Sequence, residues 1–143
     1  MDGADRAALL LAIRPRFAVA ILNGDKTVEL RRQRPAITPH APVLLYATSP
    51  TKALVGSARL AAVHADTLDN VWTLYGSCTG ISRTEYYGYF QGTDTAVALT
   101  LTAVAPLTEP IPLNQLRDQY SLEPPQSYRF IDAIRSRKLL ARK

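Results

Sequence analysis

The stretch that most limits what this chain can fold into is GDKTVELRR, residues 24–32. Val28 and Leu30 alternate with Thr27, Glu29 and Arg31, and a strand's period of two puts the apolar pair on one face and the polar set on the other. A carboxylate and a guanidinium side by side cannot pack into a dry apolar core. The strand must therefore edge a wet cleft or lie outside, and Lys26, just after the turn, is expected at the rim. A solvated surface ion pair is the plain alternative, worth about 0–1 kcal/mol.

The rest of the chain reads as short strands with helices between them. LLLAI (9–13) and VLLYAT (43–48) are brief apolar runs suited to buried strands. PRFAVAILNG (15–24) reads as a helix, with Pro15 in its first turn and Gly24 stopping it. The three prolines of 33–42 make a loop. ALVGSARLAAVHA (53–65) is a long strand in which Gly56 marks a bulge or a close backbone approach. Thr67 caps a helix over 67–75, and Ser82 with Glu85 forms a capping box before a second. TAVALTLTAV (95–104) is again a strand, and PLNQLRDQY (112–120) a short helix. PPQSYRFI (124–131) turns into a last extended or helical piece. About five strands with inserted helices predict a small α+β barrel or half-barrel.

At 143 residues the chain has the length of one domain, 1–143, ending in a basic tail over 132–143. No apolar run approaches the roughly 20 residues that cross a bilayer, so no membrane role is expected. The opening residues lack a basic leader. The one cysteine, Cys78, excludes an internal disulfide, and a reducing cytoplasm is the expected setting. The net charge of +5 favours nucleic acid or a phosphorylated ligand. Its basic residues gather in the first quarter and at the end, and would form one positive surface if the termini meet. His40 and His64 lack ligand spacing with Cys78, and neither metal nor cofactor is expected.

Four segments taken in order, the glycine-stopped helix, the G-x-K-x-x-E-x-R pattern of GDKTVELR, YATSP (46–50) and PPQSYRFI, resemble the ASCH domain, a branch of the PUA-like superfamily of small β-barrels. The resemblance covers about Leu10 to Ile131. It implies a compact barrel with a cleft between the motif segments and a link to RNA or modified nucleosides. The ligand or RNA site expected on that basis comprises Lys26, Glu29, Arg31, Tyr46, Thr48, Ser49 and Gln126. Arg14, Arg16, Arg32, Arg34, Lys52 and Arg129 are the further candidates for ligand or phosphate contact. Glu29 can accept from a base N–H, and Arg31 can hold a phosphate or orient that carboxylate. Tyr46 offers a stacking face, although Ser-Pro ends a strand without any ligand.

Two other readings stay open. One is a metal-independent hydrolase acting on acylated nucleosides or RNA phosphodiesters, with Lys26 and Glu29 as its catalytic pair. The acetylcytidine-hydrolysing branch that the resemblance brings in carries a threonine three residues after its lysine, where this chain has Glu29. The other is a protein-interaction module in transcription, whose basic rim meets an acidic partner.

Overall fold

The computed structural model describes residues 8–141; Arg142, Lys143 and the leader region considered above lie outside them. Six strands and five helices follow in the order β1 (Ala8–Ile13), α1 (Pro15–Asn23), β2 (Val28–Arg31), β3 (Pro42–Ala47), β4 (Ala53–Thr67), α2 (Leu68–Tyr75), α3 (Arg83–Tyr89), β5 (Thr95–Pro112), α4 (Leu113–Tyr120), β6 (Tyr128–Ile131) and α5 (Ala133–Leu140). They form one mixed sheet in the order β2-β5-β4-β3-β1-β6. The α+β, PUA-like architecture expected from the sequence is present. It has six strands rather than five, and the curled sheet stays open, with β2 and β6 as its edges.

β1 is buried along its whole length, as a continuous apolar run requires when both faces are covered. It pairs in parallel with β3 and antiparallel with β6, so Ala8 lies opposite Ile131 and the first and last strands are neighbours. On one face Leu9, Leu11 and Ile13 join Leu45, Leu60, Leu99 and Ile21 of α1 in the interior of the curl. On the other, Leu10, Leu44 and Tyr46 pack with Leu116 of α4 and Leu139 of α5. A third cluster sets Val28 and Leu30 against Tyr86, Phe90 and Val71.

Local signals explain the element ends. α1 starts with Pro15 and stops at Gly24, whose φ of 91° is readily reached only without a Cβ. Ser82 and Glu85 complete the capping box of α3, and Thr67 accepts from Asn70 N–H to cap α2. β5 runs eight residues beyond its expected end at 104. A bulge carries it there: Ser57 lies opposite Ala105 and Arg59 opposite Thr102, and Ala103 takes up a left-handed φ of 51°.

Candidate functional site

β2 pairs with β5 so that Glu29 lies opposite Leu99 and Arg31 opposite Val97. Both charged side chains therefore face the interior, on the side of the apolar cluster, but at the edge where the sheet fails to close. Arg31 bridges that gap. Its Nη1 donates to the Ser127 carbonyl (3.2 Å) and to Ser127 Oγ (2.9 Å), and its Nη2 donates to the Ala12 carbonyl (3.0 Å). Ala12 belongs to β1 and Ser127 immediately precedes β6, so one guanidinium staples the two margins of the open barrel.

Glu29 is held between two cations. Its Oε2 lies 2.7 Å from Arg31 Nη2 and its Oε1 3.5 Å from Lys26 Nζ. Lys26 is not at the rim, as its place after a turn suggested, but is buried to 2% exposure. Its ammonium donates to the Thr79 carbonyl at 2.6 Å and lies 4.9 Å from the centre of the Phe17 ring. Burial pulls the Lys26 pKa below the ordinary lysine value, and the Glu29 carboxylate pushes back. Arg31 Nε is buried and has no hydrogen-bond partner among the described residues.

The triad forms one wall of a cavity of about 170 Å³ between β1, α1, β2 and the end of α3. Arg14, Arg16, Phe17, Ile81, Glu85 and Tyr89 line the remainder. Arg16 pairs with Glu85 at 2.7 Å and covers the Phe17 ring at 4.5 Å. The Arg16 hydrogen bond, backed by the Ser82 N–H, holds the Glu85 carboxyl below its usual range.

The structure thus gathers Lys26, Glu29, Arg31, Arg14 and Arg16 around one space. Tyr46 is separate: its side chain belongs to the opposite face of the sheet, beside α4. Burial raises its pKa, with Arg117 and Glu123 nearby. Ser127 connects the two sides. Its Oγ accepts from Arg31 and its carbonyl accepts from Ala12 N–H at 2.9 Å, and Ala12 is the register partner of Tyr46. Thr48 N–H bonds the Ile13 carbonyl, so Thr48, with exposed Ser49 and Lys52 in the turn after it, sits at the same carboxyl end of β1 and β3. Gln126 is exposed beside Ser127. Arg32 donates to the carbonyls of Tyr89 and Gln91, and Arg129 to that of Glu123. Exposed Arg34 lies in the loop after β2.

The sequence reading left out Ser127 as a partner of Arg31, Phe17 as a partner of Lys26, and the Thr79 carbonyl. Only Ser127 had a signal, its place in PPQS.

The open, mixed α+β barrel is the PUA-like fold that the sequence led one to expect. Over 141 residues the chain is 36% identical to an "ASCH domain-containing ribonuclease" of Zymomonas mobilis, covering 98% of this chain and 95% of that protein. The crystal structure of ASCH from Zymomonas mobilis superposes with a TM-score of 0.87 at 35% identity, over 94% of each chain. A tyrosine-to-phenylalanine variant of that protein superposes at 0.88, with 34% identity over 95% of this chain and 98% of the other. A serine-to-alanine variant gives 0.88 and 35%, over 96% of each. No family model matches the chain. The chain belongs to the ASCH domain family.

Proposed function

We propose that this ASCH domain binds single-stranded RNA across the carboxyl ends of β1 and β3 and cleaves its phosphodiester backbone. The observation that carries the reading is a cation-lined cavity at that end of the sheet, linked through Arg31, Ser127 and Ala12 to the strand position of Tyr46. Arg14 and Arg16 stand beside the cavity, Lys26, Glu29 and Arg31 form its wall, and Ser127 joins it to the Tyr46 side of the sheet. The ribonuclease name of the Zymomonas relative supports RNA as the substrate. The tyrosine and serine variants among its structures draw attention to Tyr46 and Ser127 here.

In this reading Arg14 and Arg16 hold phosphates. The RNA 2′-hydroxyl attacks the adjacent phosphorus as the P–O5′ bond breaks. The Tyr46 phenol, protonated at neutral pH and made a weaker acid by burial, gives its proton to O5′ and is reprotonated by solvent, which takes up the 2′-hydroxyl proton. Ser127 orients the Arg31 guanidinium and, through it, Glu29.

The test incubates end-labelled single-stranded RNA with the protein, with and without divalent cations, and resolves it on a denaturing gel. The parent shortens the RNA. Tyr46→Phe keeps the fold and loses on the order of 10²-fold or more in rate, the scale of a lost proton donor. RNA left intact under all conditions would refute cleavage, and anisotropy on the same samples then tests binding alone. A one-base cavity also suits an acylated nucleoside; acetate released from N4-acetylcytidine would favour that second reading.

A further inference from the structure

We infer that the seam cavity is a pocket for a single unstacked nucleobase and that Tyr89 is its stacking wall; this rests on the RNA reading above. A cavity of roughly 150 Å³ takes up a benzene ring. The 170 Å³ here therefore suits one planar heterocycle and not a stacked pair.

The polar groups around it match a base edge. Two of the roughly four lone-pair positions of the Glu29 carboxylate face Lys26 and Arg31, which leaves acceptor capacity for ring or exocyclic N–H groups. Arg31 Nε is a buried donor without a hydrogen-bond partner among the described residues, in a side chain nine-tenths buried. Such a group is costly unless a ligand or water meets it. A base carries both donors and acceptors on its edge, so it can serve both.

Two aromatic rings line the cavity, and they differ. Phe17 is already covered by the Arg16 guanidinium at 4.5 Å and the Lys26 ammonium at 4.9 Å. Tyr89 is 41% exposed and packs edge-on against Phe90, 4.7 Å between centres and 78° between planes. A T-shaped contact covers at most one face of the Tyr89 ring, so a face is left for stacking. Arg32, the residue after β2, donates to the Tyr89 and Gln91 carbonyls at 3.3 Å each and so positions the end of α3 beside the triad's strand.

The test compares a fluorescent RNA hexanucleotide with its all-abasic ribose-phosphate counterpart by anisotropy at low salt, before any shortening appears on a gel. The parent binds the base-containing strand about 5- to 100-fold more tightly, the range of aromatic–base stacking. Tyr89→Ala brings that ratio close to one while the abasic strand binds as before, and Tyr89→Phe retains the ratio. Unchanged melting temperatures of both variants exclude unfolding. A ratio near one in the parent, or one that survives in Tyr89→Ala, overturns the base pocket while leaving RNA binding standing. Failure of both strands to bind overturns the RNA reading itself, and the base pocket with it.

Discussion

Arg31 shows how a charged residue on a core strand can be structural and still shape a site. Its guanidinium meets Ser127, Ala12 and Glu29 from one position, a fork that lysine cannot reproduce. Arg31→Met would leave Glu29 with a single long contact to Lys26 and leave the Ala12 carbonyl and the Ser127 hydroxyl without the guanidinium that donates to them. Breaking one side of a buried ion pair costs about 3–5 kcal/mol, and a loss of that size is expected in chemical denaturation. A loss near zero would mean that another contact closes the seam. Lys26 makes a different prediction. Its pKa is depressed in the folded protein, chiefly by burial, so the unfolded chain binds more protons between the folded pKa and the ordinary lysine value. Stability rises with pH wherever the unfolded state holds more protons, so Lys26 contributes a gain as pH climbs through that window. The stability difference between the parent and Lys26→Met should therefore shift in favour of the parent from pH 8 toward pH 10, as measured by paired denaturation curves. The alternation of GDKTVELRR was enough to place Glu29 and Arg31 on a polar face. It could not place Lys26, because the Thr79 carbonyl and Phe17 ring that bury it come from distant elements.

Among elements, the strands whose neighbours are local in pattern were legible and the irregular ones were not. β1, β3 and the three capped helices α1, α2 and α3 follow from short apolar runs and residues such as Gly24, Thr67 and Ser82, whose effects act within a turn. The extension of β5 past 104 is invisible in the sequence, since Pro106, Pro110 and Pro112 argue against a strand and only pairing with β4 holds them in it. β6 is four residues long and exists because the edge of β1 is there to pair with. Gly56, read as a bulge or a close backbone approach, lies at a register shift of the β4–β5 ladder and also meets close neighbours. A Cβ built there would lie 2.6 Å from Leu22 Cδ2 of α1 and 2.9 Å from the Ala105 carbonyl of β5. The leucine tip can move, whereas the backbone carbonyl is part of a ladder. Gly56→Ala is expected to destabilise by about 1–3 kcal/mol through overpacking, seen as a lower denaturation midpoint with an unchanged slope. A neutral result would place the slack in the β4–β5 bulge.

For the whole molecule, the two basic clusters of the sequence do different things. β1 pairs with β6, so the first and last strands do meet, yet Arg129 and Arg135 are occupied locally: Arg129 on the Glu123 carbonyl, Arg135 on Asp132 and the Ser121 carbonyl. Arg14 and Arg16 instead stand at the cavity, and the Arg16–Glu85 pair is exposed enough to exchange partners at little cost. If RNA reaches the seam, its phosphates should release counterions mainly against these two residues. Each contact with a single strand contributes about 0.7 to the slope of log affinity against log salt, so replacing both with glutamine should flatten that slope by about 1.4. Arg59 supplies the control. It lies opposite Pro42, at the far end of β3 from Tyr46, and donates to the His40 carbonyl. Arg59→Gln should leave the slope where it was. Equal flattening per charge removed would mean that RNA is held by the overall charge of the protein rather than at the seam, since a diffuse field does not distinguish one end of β3 from the other.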